Sequence, residues 1–317
     1  MSLRLITEAT IASVTKEFKA QPSLLRSFRR SALWSELGDD SGDPIFVGAG
    51  DSYAAALCAS FMAGPRVAAL DPYSLTESIS WARRRPVYIV SVSGETRSNI
   101  ELARALKGVA KLTVAITCNP KSRLAAAADS VVELPFKPRG KSPGIASFTL
   151  AVGAVLKVCG LESGCDFDEV LSRATMLAKK IRIASRRNIT HFAGNNEAYA
   201  ASVYGVAKVY EILGGRAQAS LLEEFSHMPL FSLSASDCVN VVESPNGRKG
   251  EQLQERLMNC GYPSSLIRLE GDPIERLYLL VFSLQMAAIG AARREGLERP
   301  YFLGAKNKMR ISDEMIY

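Results

Sequence analysis

The chain has 317 residues, of which 47% are apolar and 22% charged, and its formal net charge at pH 7 is +7. This composition is typical of a soluble globular protein that is long enough for one large or two medium domains. Two histidines are too few for a His-rich metal site, and six cysteines without a CxxC spacing argue against a zinc site or a disulfide framework.

The distribution of charge and cysteine bears on partners and compartment. Basic residues are scattered, and the one dense run, Arg83-Arg84-Arg85, is interpreted first as a solvated surface and second as an attractor of anionic metabolites, so no nucleic acid partner is predicted. No secretory signal is evident, and free buried thiols fit a reducing, cytoplasmic location. Two apolar helices, expected around 145–159 and 277–292, fall short of the ~20 residues of a membrane span and are predicted to be core helices.

In chain order, an N-terminal helical arm is predicted over residues 1–40, with its helical stretch at 6–35. A first α/β domain is predicted over 41–160 and begins with the strand and glycine turn of IFVGAGDSYAAALCAS, in which Gly50-Asp51-Ser52-Tyr53 leads into a helix. Further strands, alternating with helices, are predicted at 87–91 and 112–118.

The loop after the strand at 87–91 predicts a phosphate site. It combines the hydroxyls of Ser91, Ser93 and Thr96 with Gly94, which allows close backbone approach, and with the free N–H groups of the helix that follows. No lysine follows the glycine, so this is not the nucleotide P-loop, and a phosphate monoester such as a sugar phosphate is favoured. The alternative is an ordinary helix N-cap, which explains one hydroxyl easily and three less well.

The rest of the chain repeats this design. A linking helix is predicted over 161–188 and a second α/β domain over 189–300, where HFAGNNEAYAASVYGV has the same order of strand, glycine turn and Tyr-Ala-Ala as the first domain. Two such units predict two parallel sheets flanked by helices, with ligands beyond the carboxyl ends of the strands. The second unit has Ser244-Pro-Asn-Gly247 in place of the hydroxyl cluster, so only one good phosphate cradle is predicted.

A helix predicted from Tyr199 to Leu213 carries Lys208 and Glu211, which share one face because they are three residues apart. A surface salt bridge is one interpretation of this pair. The other is that Glu211, isolated among small apolar residues, is a general base whose pKa is raised by partial burial.

Histidines and tail lysines complete the set of candidates. His227 stands just before a proline and is expected on a turn, where catalytic and structural roles are equally open, whereas His191 in an apolar strand is expected to be structural. Lys306 and Lys308 follow an aromatic anchor in the C-terminal tail, 301–317, and taken alone are expected to be solvated.

Taken together, these motifs resemble the tandem sugar isomerase (SIS) domain family, in particular the isomerase half of glucosamine-6-phosphate synthase and the free-standing deaminases related to it. The resemblance covers about residues 40 to 308. It rests on Ser91 to Thr96 against the family's Ser-x-Ser-Gly-Glu-Thr and on Gly50 to Tyr53 against Gly-x-Ser-Tyr. It rests further on Ile145-Ala146-Ser147 against Val-Ala-Ser-Thr, with Phe148 in place of the Thr. Lys208, Glu211 and His227 have the family's spacing, and Pro300 to Lys306 is similar to Pro-Arg-Asn-Leu-Ala-Lys.

The resemblance implies an enzyme that interconverts glucosamine 6-phosphate and fructose 6-phosphate. Glu211 would move the proton between C1 and C2, His227 would open the ring, Lys208 would position the reacting groups, and Lys306 in the tail would close the site. Ser52, Ser91, Ser93, Gly94, Thr96 and Ser147 would bind the phosphate and sugar. Neither metal nor organic cofactor would be required, and a homodimer with the site at the subunit interface is implied.

Departures from the family pattern leave alternatives open. No cysteine precedes Cys58 in this chain, so glutamine-dependent synthesis by this chain alone is not expected, and a separate glutaminase partner is left open but not indicated. An inserted residue leaves the choice between Lys306 and Lys308 open, and Val92 replaces a polar residue of the synthase loop. A phosphoglucose/phosphomannose isomerase is the alternative within the superfamily, and a non-catalytic sugar-phosphate sensor is the alternative of another class.

Overall fold

The fold is described from a computed structural model for residues 9–30, 43–138, 140–162 and 164–317. Within these ranges the chain forms two compact units. The first-sheet unit contains residues 20–30, 43–138, 144–162 and 307–317, and the second-sheet unit contains residues 9–19, 140–143 and 164–306. The parts of the predicted N-terminal arm at 1–8 and 31–40 lie outside the described residues; within the arm, helix α1 is Ile11–Arg29.

The first-sheet unit has a five-stranded parallel sheet in the order β2-β1-β3-β4-β5. Its strands are β1 (Ile45–Val47), β2 (Ala68–Leu70), β3 (Pro86–Val90), β4 (Leu112–Thr117) and β5 (Ser130–Glu133). Its flanking helices are α2 (Asp51–Ala63), α3 (Pro72–Glu77), α4 (Arg97–Ala105), α5 (Arg123–Ala127) and α6 (Ala146–Val158). Strands β1 and β3 are buried on both faces, which is why they read as continuous apolar runs.

The second-sheet unit has a four-stranded parallel sheet in the order β7-β6-β8-β9. Its strands are β6 (Ile189–Ala193), β7 (Arg216–Ser220), β8 (Cys238–Glu243) and β9 (Ser264–Arg268). Its helices are α7 (Phe167–Leu177), α8 (Glu197–Lys208), α9 (Leu222–His227), α10 (Lys249–Asn259), α11 (Pro273–Arg294) and α12 (Tyr301–Gly304), and helix α13 (Lys306–Ile316) ends the chain. The predicted fold class, two α/β domains each with a parallel sheet flanked by helices, is confirmed.

The apolar helix predicted around 277–292 is longer in the structure than predicted. Helix α11 has 22 residues, because Asp272 accepts hydrogen bonds from the N–H groups of Ile274 and Glu275 and Pro273 occupies the first turn, so the helix starts earlier than predicted. It is the one helix in the described part of the chain that is long and apolar enough to cross a membrane, yet 78% of its most apolar stretch is buried inside the protein, the pattern of a core helix.

The six cysteines are free, in keeping with the expectation from their spacing. Burial raises the pKa of the Cys58 and Cys159 thiols to about 12, so both stay protonated at neutral pH. The expectation of buried thiols holds fully for Cys58 alone, since four of the other cysteines are partly exposed and Cys260, directly after α10, is exposed.

The strand order places one crevice in each unit. In both sheets the first strand of the unit lies between the next strand in sequence and a later one, so the chain leaves β1 and β3, or β6 and β8, in opposite directions. Ligands of open parallel sheets bind beyond the carboxyl ends of such a strand pair. The first-sheet crevice therefore lies at the ends of β1 and β3, and the second-sheet crevice at the ends of β6 and β8.

Candidate functional site

The candidate phosphate loop, Ser91 to Thr96, follows β3 at the first-sheet crevice. The backbone turns at Gly94, which has a φ of 66° and whose N–H donates to the Ser91 carbonyl at 3.1 Å. A side chain at this position would collide with that of Ser122, so only glycine fits both the conformation and the space. Ser91 is 3% exposed, whereas Ser93 and Thr96 are partly exposed, and the Ser93 hydroxyl accepts the Glu95 N–H at 3.2 Å.

The helix after this loop has an open N-terminus. Thr96 is the N-cap of α4 and makes no side-chain cap hydrogen bond. Within the part of the chain that the structure describes, the backbone N–H groups of Arg97, Ser98 and Asn99 have no acceptor. Unsatisfied first-turn N–H groups together with the positive end of the helix dipole form an anion-binding arrangement.

The one acidic side chain of the loop is paired with a basic residue of α5. The Glu95 carboxylate accepts a hydrogen bond from Arg123 Nε at 2.5 Å and another from the Arg123 backbone N–H at 3.1 Å. The hydrogen bond from the Arg123 side chain is the main reason why the pKa of Glu95 is lowered. Glu95 therefore stays ionised in its pair with Arg123.

Two other predicted ligand-binding residues, Ser52 and Ser147, lie at the start of helices in the same unit. Ser52 is in the first turn of α2, directly after β1, and is partly buried. Ser147 is in the first turn of α6, where Gly144 packs against the Asp51 carboxylate without room for a side chain. The Ser147 Oγ lies 3.6 Å from the position that a Cβ on Gly144 would occupy. The Ser147 segment is thus held beside the turn that contains Ser52.

Lys208 and Glu211 form a close pair in the second-sheet unit. Lys208 Nζ lies 2.5 Å from Glu211 Oε2 and 4.8 Å from the centre of the Tyr204 ring. The Lys208 side chain is 0% exposed and that of Glu211 is 34% exposed. The interpretation as a surface salt bridge is therefore wrong, because the ammonium group is fully removed from solvent and only the carboxylate has access to it.

Glu211 lies on a π-helical turn, Val209–Leu213, that continues α8. Such turns add one residue to a helix and occur frequently at functional sites. The turn ends at Gly214, whose φ of 64° is left-handed and whose Cα is covered by the Tyr301 ring of α12. The Tyr210 hydroxyl donates to the Ala217 carbonyl at 2.6 Å. These contacts hold the turn from both sides and fix the backbone that carries Glu211.

Tyr204 and Tyr301 are site components that the sequence analysis missed. Tyr204 lies four residues before Lys208, a spacing that places an aromatic ring and a cation on one helix face and could have revealed this contact. The π turn and the packing of Tyr301 have no comparable local signal, since both depend on residues distant in the chain.

The two histidines have different surroundings. His227 is the last residue of α9, not part of a turn as expected, and its side chain is 69% exposed with Nε2 3.2 Å from Glu223 Oε1. His191 is buried, packs edge-on against Phe225 of α9, and neither ring nitrogen has a hydrogen-bond partner within the described residues. Burial lowers the pKa of His191, partly opposed by the Asp237 carboxylate. His191 thus has the buried position expected of a structural residue.

The two tail lysines, Lys306 and Lys308, lie at the start of the last helix. Lys306 is the first residue of α13 and Lys308 lies two residues further on, and both are exposed. Their exposure does not distinguish one lysine from the other as the site residue, and closure of the site by the tail stays a prediction.

No protein-family model and no curated protein sequence matches the chain. Its fold nevertheless matches solved structures along almost its whole length. Glucosamine-6-phosphate deaminase from Thermotoga maritima is 20% identical, with a TM-score of 0.72 over 90% of this chain and 95% of that one.

Two further structures match with similar TM-scores. Tagatose-6-phosphate ketose/aldose isomerase from Escherichia coli is 17% identical, with a TM-score of 0.72 over 92% of this chain and 96% of that one. The C-terminal domain of glucosamine-fructose-6-phosphate aminotransferase from Francisella tularensis is 16% identical, with a TM-score of 0.69 over 90% and 98%. The chain therefore has the tandem SIS fold of phosphosugar isomerases and deaminases, which confirms the sequence resemblance at the level of the fold.

Proposed function

We propose that this chain, which has the tandem SIS fold, is a cytoplasmic phosphosugar enzyme that moves a proton between C1 and C2 of an open-chain hexose phosphate. Glucosamine 6-phosphate and water are the proposed substrates, and fructose 6-phosphate and ammonia are the proposed products. Transfer of the proton from C2 to C1 leaves an imine at C2, which water hydrolyses to the ketone with release of ammonia. The observation that carries the proposal is the contact between the fully buried Lys208 and the partly exposed Glu211 on a π turn.

The first-sheet crevice supports a phosphorylated substrate. The oxygens of a phosphate monoester can accept hydrogen bonds from the free N–H groups of Arg97, Ser98 and Asn99. They can also accept hydrogen bonds from the hydroxyls of Ser93 and Thr96. The cradle offers neutral donors and no lysine within the loop, which suits one phosphoryl group better than a nucleotide's phosphate chain. In the proposal Ser52, Ser91 and Ser147 contribute further hydroxyls, and Gly94 brings the backbone close to the anion.

The Lys208–Glu211 pair supports proton transfer next to a carbonyl group. A carboxylate that is partly exposed can reach a substrate carbon, and the same group can return the proton to the neighbouring carbon after an enediol or enolamine has formed. In the proposal Lys208, whose Nζ lies 2.5 Å from Glu211 Oε2, holds the Glu211 carboxylate in place.

Additional roles are proposed for residues near exposed surfaces. His227 would transfer the proton that opens the sugar ring, and its exposed position at the end of α9 suits a group that acts on a neighbouring subunit. Met228 and Phe231, both largely exposed, lie beside it and are proposed to be part of a homodimer contact. Lys306 is proposed to approach the sugar from the tail.

The test measures the release of ammonia and fructose 6-phosphate from glucosamine 6-phosphate by the wild type, Glu211→Gln and Glu255→Gln. Glu255 is an exposed residue of α10 and serves as the matched control. We expect Glu211→Gln to lower kcat by on the order of 10²–10⁴-fold with little change in KM, since the amide cannot carry the proton, and Glu255→Gln to behave as the wild type.

A Glu211→Gln variant as active as the wild type would overturn the assignment of the proton carrier. If the wild type releases no ammonia, glucose 6-phosphate and mannose 6-phosphate are tested next, and turnover of either would indicate the aldose–ketose isomerase alternative. Binding of sugar phosphates without turnover of any of them would favour a sensor and contradict the proposed enzyme.

A further inference from the structure

The second-sheet crevice has the geometry of an anion site but contains a carboxylate of the chain itself. A cavity of about 340 Å³ lies at the ends of β6 and β8, between Asn195, Glu197 and Arg276 on one side and the loop before α10 on the other. Glu197 and Arg276 pair with each other at 2.7 Å, so neither is an uncompensated charge. Of the ionisable residues that line the crevice, Glu197 and Glu243 are buried, whereas Arg248 and Lys249 are exposed.

Glu243 is the last residue of β8 and is 6% exposed. Its Oε2 accepts the N–H of Gly250, in the first turn of α10, at 2.5 Å, and its Oε1 accepts the N–H of Ser244 at 3.2 Å. A Cβ on Gly247 would overlap Oε1, and one on Gly250 would lie 2.6 Å from Oε2. The loop is thus shaped around the carboxylate, with glycines at the two positions where it comes closest.

This position corresponds to the phosphate loop of the first sheet. The first loop joins β3 to α4, and the second joins β8 to α10. In each unit the strand before the loop is a sheet neighbour of the first strand, β3 of β1 and β8 of β6. In the first-sheet crevice the helix N-terminus is open, whereas in the second it donates to Glu243. A carboxylate bound by backbone N–H groups at a helix N-terminus satisfies the same donors, and the same dipole, as a bound phosphate oxygen.

We propose that Glu243 is a built-in anion that occupies the second-sheet crevice and excludes phosphate from it. A phosphate group entering this crevice would meet the buried negative charge of Glu243, and the N–H groups of Ser244 and Gly250 already donate to that carboxylate. Removal of the carboxylate should free the N–H groups of Ser244 and Gly250 and open a site for a small oxyanion in the second-sheet unit.

The test compares the thermal unfolding of the wild type, Glu243→Ala and Glu255→Ala in inorganic phosphate and in chloride of the same ionic strength. Phosphate bound at the first-sheet crevice raises the Tm of all three proteins alike. We expect Glu243→Ala to melt at a lower temperature in chloride and to gain more from phosphate than the other two proteins, with a saturating dependence on concentration. An equal gain in all three proteins would overturn the proposal.

A second variant separates loss of charge from opening of space. Glu243→Gln keeps a side chain of the same size in the crevice, so it should melt lower than the wild type but show no additional gain in phosphate. If Glu243→Ala does not fold in chloride, refolding from denaturant is compared in the two salts. Recovery of folded protein in phosphate alone would support the proposal, and failure in both salts would contradict it. None of these measurements uses enzymatic activity, so their outcome is independent of the proposed reaction.

Discussion

The two crevices differ at the N-terminus of one helix. This helix is α4, after β3, in the first-sheet unit and α10, after β8, in the second-sheet unit. In the first-sheet unit α4 presents the N–H groups of Arg97, Ser98 and Asn99 without an acceptor in the described residues, while Glu95 pairs with Arg123. In the second-sheet unit α10 donates to the buried carboxylate of Glu243. In our proposal the fold supplies an anion site in both cases, and a single side chain determines whether a ligand or the protein fills it.

The largest expected effect is that of Gly94→Ala in the open crevice. Alanine at a left-handed φ costs about 1–2 kcal/mol and a collision in a packed site about 1–3 kcal/mol more. Ser122 cannot yield easily, because its hydroxyl accepts the Ala125 N–H at the start of α5. We expect the free energy of unfolding to fall by about 2–5 kcal/mol, measured by urea denaturation.

Gly160→Ala is the matched control, since Gly160 has a φ of 70° but nothing within 4 Å of an added Cβ. It should show the backbone cost alone, about 1–2 kcal/mol. If the two variants lose the same stability, the contact between Gly94 and Ser122 does not constrain the loop.

Acidification is expected to have an intermediate effect on stability, and it should lower the stability of the second-sheet unit more than that of the first. The folded-state pKa of His191 lies below its usual value because of burial, so the unfolded chain takes up a proton that the folded chain resists. Stability should therefore be complete above the ordinary histidine pKa of about 6.5 and fall as the pH drops below it. Hydrogen exchange at pH 5.5 and 7.5 should show α9, which packs on His191 through Phe225, opening more at the lower pH.

His191→Phe should remove this dependence, since the aromatic packing is kept and the titrating ring is lost. The first-sheet crevice contains no histidine, because His191 and His227 are the only two in the chain, and its protection factors, corrected for the pH dependence of intrinsic exchange, should not change in this range. A pH response in His191→Phe equal to that of the wild type would exclude His191 as its source.

The smallest expected effect concerns the hydroxyls of the open crevice. Removing one neutral hydrogen bond to a ligand weakens binding by about 0.5–1.5 kcal/mol, which corresponds to a factor of about 2–10. Thr96→Val should therefore raise the KM for the sugar phosphate by about 2–10-fold and leave kcat nearly unchanged.

Ser244→Ala, at the corresponding loop of the filled crevice, should leave KM unchanged, because only the backbone N–H of Ser244 contacts Glu243. Steady-state kinetics of both variants tests the contrast directly. A KM increase in Ser244→Ala that matches that of Thr96→Val would argue against a phosphate site confined to the first-sheet unit.

Local sequence determined those features that depend on residues close together in the chain. The strand, glycine turn and helix around Ser91 to Thr96 follow from β-branched residues, a left-handed glycine and a helical period within about 20 residues. The shared face of Lys208 and Glu211 follows from helical spacing alone. The repeated pattern of strands and turns was sufficient to predict two parallel sheets.

Tertiary structure alone decided the features that depend on packing between distant segments. The outer strands β2, β5 and β7 were not predicted, because most of their residues are at least partly exposed and they lack the continuous buried apolar run of the central strands. The burial of Lys208 depends on the residues packed around α8, and the π turn is held by Tyr301, about 90 residues later. Glu243 is an ordinary strand residue in the sequence, and it becomes the anion of its crevice only when the loop folds around it. The surroundings of a buried charged group, and not its residue type alone, determine which groups compensate its charge.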